Sequence, residues 1–244
     1  DERVPLLASR FWPGPLTIVL PKNITVPDIV TSGLPTVGIR MPDNEIALAL
    51  IKNAGCPVAA PSANKFGRVS PTTAAHVKKY FPDIDFIIDG GKTRVGIEST
   101  VIRLTEKGFQ IARHGIITKE EIEKVIPFDS NPVGGTLIVS PGMLKSHYSP
   151  RIPLIISEPG RISTAERKNM GLLSFSGRDT DHFRFVILLT ETMDLREYAA
   201  NLFEALHRME DSGVEMIAAE PVPETGIGIA IMDRLRKASY RKKS

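Results

Sequence analysis

The sequence predicts an α/β protein with a mixed sheet in its first half and a second, smaller α/β unit after a linker. Three observations predict it. Short β-rich runs alternate with helical patterns over residues 1–128. Two of those runs flank a hairpin turn, so the sheet is not purely parallel. After a proline- and glycine-rich stretch at 129–151, the alternation starts afresh over 152–244.

The elements follow in order. Leu16 to Leu20 and Thr36 to Arg40 are β-rich runs bounded by prolines. Glu45 to Ala54 places Ile46, Ala49, Leu50 and Ala54 at helical spacing, with Gly55 where a helix-ending glycine belongs. Val58 to Ala60 reads as a short strand. Ser70-Pro71 reads as an N-cap and first helical position, opening a helix to about Tyr80. Phe86 to Ile88 reads as a buried strand stopped by Asp89-Gly-Gly91. Thr100 to Leu104 and Phe109 to Arg113 flank a Lys107-Gly108 turn. In the last part, Ile152 to Ile156, Leu172 to Phe175, Phe183 to Leu189 and Val214 to Ala218 are strands. Leu195, Ala199, Leu202, Phe203, Leu206 and Met209 form one helical stripe. Ile227 to about Ala238 is a last helix, and the charges from Arg234 to Lys243 read as its solvated end.

Composition narrows the function classes. The 244 residues are 42% hydrophobic and 24% charged, which predicts a packed core. A net charge of +3 is too weak a basic bias to argue for nucleic acid by itself. The one cysteine, Cys56, allows neither an intrachain disulfide nor a cysteine-rich zinc site, which fits a reducing compartment. No apolar run approaches the roughly 18–20 residues of a membrane span. The opening Asp1-Glu-Arg-Val-Pro5 is no signal peptide and lacks an initiator Met, so the chain reads as the remainder of a longer one.

Several familiar motifs fail. Gly90-Gly-Lys-Thr93 ends like a phosphate-binding loop, but Phe86 stands where the first glycine belongs. Gly226-Ile-Gly228 begins like a dinucleotide fingerprint, but its third glycine is Ile231. The five histidines show no metal-ligand spacing, and no nucleophile elbow is present.

What remains are small polar residues beside glycines and prolines. Ala59-Ala-Pro-Ser-Ala-Asn64 has little side-chain bulk, so a ligand could approach its backbone, with Ser62 and Asn64 offering a hydroxyl and an amide. A tight turn with local side-chain caps is the competing reading. Ser70 reads as a phosphate holder or a plain cap. Ser99 and Thr100 in Gly96-Ile-Glu-Ser-Thr-Val101 suit a polar ligand or mark a β-bulge. Arg40 and Arg113 end strands, where a guanidinium is a fork for carboxylate or phosphate, or a surface ion pair. The set describes binding and alignment of an anionic, hydroxyl-rich ligand, with no residue assigned as a nucleophile and none as a metal ligand.

Taken together and in this order, Phe11-Trp-Pro-Gly-Pro-Leu-Thr17, Thr36-Val-Gly-Ile-Arg-Met-Pro42, Ala59-Ala-Pro-Ser-Ala-Asn64, Ser70-Pro-Thr-Thr73, Asp89-Gly-Gly91, Gly96-Ile-Glu-Ser-Thr-Val101 and Arg113-His-Gly-Ile-Ile-Thr118 resemble the YrdC-type domain of the threonylcarbamoyl-AMP synthase family. Ser140-Pro-Gly-Met143 with His147-Tyr148 resembles the linker of its two-domain form. Ala219-Glu-Pro-Val-Pro-Glu224 and Gly226 to Arg236 are similar to its second domain, where the family more often has Asn in place of Asp233.

The resemblance implies a twisted mixed-sheet YrdC-type domain over 1–128, a linker over the active site at 129–151, and a small Rossmann-like domain over 152–244. It implies synthesis of L-threonylcarbamoyladenylate from L-threonine, bicarbonate and ATP with release of pyrophosphate, Mg2+ accompanying ATP. Downstream enzymes would transfer the threonylcarbamoyl group to tRNA, in the cytoplasm and without a membrane. Carried over by motif, Thr36, Ser62, Asn64, Ser70, Arg113 and Tyr148 would bind ATP, Tyr148 covering the site. Arg40, Ala60, Ser99 and Thr100 would surround threonine. The family's upstream threonine-binding strand and Lys-x-Arg segment are not in these residues, so the 244 residues alone are expected to be inactive. A non-catalytic RNA-binding module of the same fold is the alternative, and a regulatory or docking role is a further reading of 152–244.

Overall fold

The computed structural model describes residues 1–131 and 148–240. In chain order the elements are α1 (Arg3–Phe11), β1 (Leu16–Pro21), α2 (Asp28–Thr31), β2 (Thr36–Ile39), α3 (Glu45–Ala54), α4 (Ala74–Tyr80), β3 (Thr100–Thr105), β4 (Gly108–Arg113) and α5 (Lys119–Glu123). Then come β5 (Leu154–Ile156), a 3-10 turn at Pro159–Arg161, α6 (Thr164–Arg167), β6 (Met170–Ser174), β7 (Phe185–Leu188), α7 (Leu195–Asp211), β8 (Met216–Ala219) and α8 (Ile227–Ser239). None of the described helices is long and apolar enough to cross a membrane.

The chain divides into two compact units. One holds Asp1–Pro61 and Glu98–Met143, the other Ser62–Ile97 and Leu144–Ser244. Residues 62–97 thus belong with the C-terminal part, although they lie within the first half of the sequence.

The first unit is built on a sheet of order β2-β1-β3-β4. β1 runs parallel to β3 and antiparallel to β2, and β3 and β4 form the expected hairpin. The mixed sheet is therefore present. Leu16, Ile18, Ile102 and Phe109 are fully buried and, with Leu7 of α1, make its core. The Phe11–Pro15 segment turns tightly before β1: Trp12 Nε1 donates to the Leu16 carbonyl at 2.7 Å, and Gly14 N–H to the Met41 carbonyl at 2.8 Å. A Cβ on Gly14 would lie 2.4 Å from the Phe11 carbonyl oxygen, which explains the glycine.

The second unit carries a fully parallel sheet of order β5-β8-β6-β7. β6 is buried along its whole length, as a central parallel strand should be. The predicted stripe on α7 is buried from Ala199 to Met209, and α8 packs against β5 and α7.

Four local expectations are corrected. Val58–Ala60 and Phe86–Ile88 form no strand, and Phe86 is 88% exposed. Their apolar runs meet no neighbouring strand, and without ladder partners an apolar run has no reason to extend. α4 starts at Ala74 rather than at Pro71. Thr73 is its cap, with Oγ1 accepting from His76 N–H at 3.3 Å, so Ser70 is not a helix cap. The local reason is that Thr72 N–H and hydroxyl are both taken by the His76 ring. Arg234 is not solvated but 1% exposed, because α8 is buried almost to its end.

Candidate functional site

The sequence-predicted residues are held in both units, and each group is built differently. In the first unit the centre is Arg113, the last residue of β4. Its Nε donates to the Ser99 carbonyl at 3.1 Å, and a terminal nitrogen lies 3.0 Å from Ser99 Oγ. Ser99 Oγ is in turn 2.8 Å from Thr17 Oγ1 on β1. The parallel pairing of β1 with β3 sets Leu16 opposite Thr100, so Thr17 and Ser99 meet at the start of both strands. The register irregularity that the β-bulge reading anticipated lies at Val101/Ile102. It sits beside the pairing of Val101 with Arg113.

Thr100 is placed differently from the expectation of a ligand-facing hydroxyl. It is fully buried, and its Oγ1 donates to the Ile117 carbonyl at 2.6 Å. Its N–H donates to the Pro15 carbonyl at 3.0 Å. Gly115 lets this segment close, since a Cβ there would lie 2.4 Å from Thr100 N. Thr36 opens β2 and is half-buried. Arg40 follows β2 directly and is exposed, with no hydrogen bond or ion pair among the described residues. Ala60 is exposed.

In the second unit, Ser62 is exposed and Ala63 adopts a left-handed backbone at φ 54°. Asn64 Nδ2 donates to the Lys65 carbonyl at 3.0 Å and to the Arg68 carbonyl at 3.1 Å. The tight turn with local caps, one of the two readings of this segment, thus accounts for the Asn64 amide. Its Oδ1 is buried with no partner among the described residues. Ser70 is buried.

Tyr148 is the clearest difference from the linker expectation. Its ring is 1% exposed, stacked on Phe203 at 5.3 Å between centroids, with the Arg234 guanidinium 5.5 Å from its centroid. The side chain is anchored in the core of its own unit. Ser140–Met143 and His147 lie outside the described residues.

Sequence reasoning missed two histidines. His76 and His207 stack at 3.8 Å between centroids, inclined by 26°. Burial, and then the neighbouring His207, pushes the His76 imidazole down to about 4. His207 is lowered as well, chiefly by burial. Each had been one of five unspaced histidines, and 131 residues separate them in sequence; no local signal pairs them.

Known proteins match along nearly the whole chain. The Sua5–YciO–YrdC family, described as "Telomere recombination", matches residues 1–115, and the family described as "Threonylcarbamoyl-AMP synthase, C-terminal domain" matches 117–239. The threonylcarbamoyl-AMP synthase of Pyrococcus abyssi is 46% identical over 98% of this chain and 75% of its own length. The chain belongs to the threonylcarbamoyl-AMP synthase family. The Bacillus subtilis member is 41% identical over 98% of this chain and 73% of its own length. A crystal structure of P. abyssi Sua5 complexed with L-threonine superposes with a TM-score of 0.85 at 43% identity, covering 98% of this chain and 74% of that one. The two-domain form of the synthase family, rather than a lone RNA-binding module, is what these matches describe.

Proposed function

We propose that this protein makes L-threonylcarbamoyladenylate from L-threonine, bicarbonate and ATP, with pyrophosphate as the second product. Relatives named for this synthesis match both segments in the same order, and the Pyrococcus relative was crystallised with L-threonine. Within the chain, the observation that carries the reading is the guanidinium of Arg113, braced on Ser99 next to the Thr17 hydroxyl. A fixed cation beside hydroxyls suits an anionic substrate, and no activated nucleophile accompanies it among the described residues.

The chemistry then needs alignment more than covalent catalysis. The threonine amine forms a bond to the bicarbonate carbon, and water leaves. An oxygen of the resulting carbamate attacks the α-phosphorus, and the bond from that phosphorus to the bridging oxygen of pyrophosphate breaks. In this reading Arg113, Thr36, Ser62 and Ser70 contact ATP. Arg40, Ala60 and Ser99 contact threonine, Arg40 supplying a charge for its carboxylate. Thr100, Asn64 and Tyr148 complete the family's set as supports, through the backbone bonds and packing described above.

Mg2+ would accompany ATP and lower the charge on its phosphates. Among the described residues no three His, Cys, Asp or Glu side chains gather to hold a metal, so the ion fits the phosphates better than a protein-built site. The product would pass, in the cytoplasm, to enzymes that transfer the threonylcarbamoyl group to tRNA. In this reading 1–128 is the catalytic segment, 129–151 the linker and 152–244 the C-terminal segment.

The test is incubation of the full-length protein with ATP, bicarbonate and threonine, followed by mass spectrometry and pyrophosphate assay. The adduct should form only when all three are present. Pyrophosphate release that ignores threonine would overturn the assignment.

A further inference from the structure

Three aromatic side chains grip residues 69–72 by their main chain. Tyr80 Oη donates to the Val69 carbonyl at 3.0 Å. His207 Nε2 lies 3.1 Å from the Ser70 carbonyl. His76 Nδ1 lies 3.3 Å from Thr72 N and 3.2 Å from Thr72 Oγ1. The two histidines stack, and Tyr80 meets His207 edge-on at 5.8 Å.

These contacts dictate the protons. A nitrogen facing a carbonyl must carry hydrogen, so His207 is protonated at Nε2. A nitrogen facing a backbone N–H must be bare, so His76 is unprotonated at Nδ1. His76 is therefore neutral, with its hydrogen on Nε2, and at His207 burial favours the neutral ring over the imidazolium. His207 is 2% exposed, and its Nδ1 is buried with no partner among the described residues. A buried ring with one nitrogen unsatisfied is costly, and the bond to Ser70 is the polar interaction that orients it.

His207 sits on α7, within the segment matched by the C-terminal family model. Ser70 sits in the segment matched by the N-terminal one. Both belong to one compact unit. The loop at Ser70 has no helix end of its own to hold it, since α4 starts only at Ala74.

We propose that His207 is a positioning residue for ATP binding: from α7 it fixes the Ser70 carbonyl, and so the place of the Ser70 hydroxyl. This rests on the nucleotide role proposed for Ser70. It makes the C-terminal segment part of the ATP-binding apparatus, not an appended module.

The experiment compares Ser70→Ala, His207→Phe, His207→Gln and His207→Asn in the full-length protein. ATP affinity is read by calorimetry, and KM and kcat by steady-state assay. Ser70→Ala and His207→Phe should each weaken ATP about tenfold, with the threonine KM within about twofold. Gln carries an amide nitrogen near the Nε2 position and should recover to within about threefold, whereas the shorter Asn should not. Amides of residues 69–72 should exchange faster in His207→Phe while those of β6 are unchanged. If Ser70→Ala weakens ATP and His207→Phe does not, the positioning role is wrong and the Ser70 role stands. If Ser70→Ala binds ATP normally, the Ser70 role fails and the proposal with it. Should His207→Phe not fold, equal ATP affinity for Gln and Asn overturns the proposal, as does a lower melting temperature with unchanged ATP affinity.

Discussion

Arg113 and Ser99 are joined by two contacts at once: Arg113 Nε donates to the Ser99 carbonyl at 3.1 Å, and a second guanidinium nitrogen lies 3.0 Å from Ser99 Oγ. A guanidinium held by two bonds on one residue has little freedom left to lose when an anion arrives. Arg113→Ala should therefore weaken ATP binding by about 1–3 kcal/mol, the range for a hydrogen bond to a charged group. Ser62→Ala should fall in the same range. Arg113→Lys should rescue poorly, because an ammonium on a flexible stem cannot reproduce the fork. Calorimetric titration with ATP decides this, and unchanged affinity in both alanine variants removes the assignments.

Thr100 predicts a stability effect. Replacing its hydroxyl with a methyl in Thr100→Val leaves the Ile117 carbonyl without its 2.6 Å donor in a fully buried place. The expected loss is about 1–3 kcal/mol, read from urea unfolding midpoints. Thr100→Ser keeps the hydroxyl and should lose less.

Gly228 explains why a failed dinucleotide motif still contains glycines. A Cβ at Gly228 would lie 1.8 Å from the Pro223 carbonyl oxygen, so the first turn of α8 must lie against that backbone. Gly228→Ala should cost about 1–3 kcal/mol by overpacking. Gly160→Ala is the control: its nearest neighbour, Asp179 Oδ2, would be 3.5 Å away, and the melting temperature should hardly move.

The histidine pair makes folding pH-dependent. Folded His76 titrates at about 4, below the ordinary value of 6.5, because of burial and then His207; Glu204 and Asp211 oppose the shift, and Lys79 adds to it. Between those values the unfolded chain binds the proton and the folded one does not. Stability is thus complete above about pH 6.5 and declines as pH falls toward 4. In His76→Asn the amide oxygen can accept from Thr72 N–H without a titrating ring. Its decline over that window should be shallower than that of the natural protein, and parallel curves would count against the mechanism.

Much of the architecture was legible because it rests on local periodicity. The α7 stripe, the β3–β4 hairpin and the Glu45–Ala54 helix with left-handed Gly55 all come from spacings within a few residues. The Val58–Ala60 and Phe86–Ile88 strands were misjudged because a short apolar run becomes a strand only if another strand pairs with it. Ser70 was misread as a cap because the competing cap, Thr73, lies three residues on, and the choice between them involves the His76 ring.

By itself, the order of motifs determined the family, the substrates to be proposed and the mixed-plus-parallel sheet classes, since motif identity and apolar period are properties of the linear chain. Tertiary structure alone decided what holds each polar or aromatic side chain. The Thr100 hydroxyl donates to the Ile117 carbonyl, the Asn64 amide nitrogen to its own turn, the Tyr148 ring stacks on Phe203, and Arg113 is braced by Ser99. The reason is physical: a hydrogen bond or ring stack between residues distant in sequence depends on where the backbone brings them, and no spacing along the chain encodes that distance.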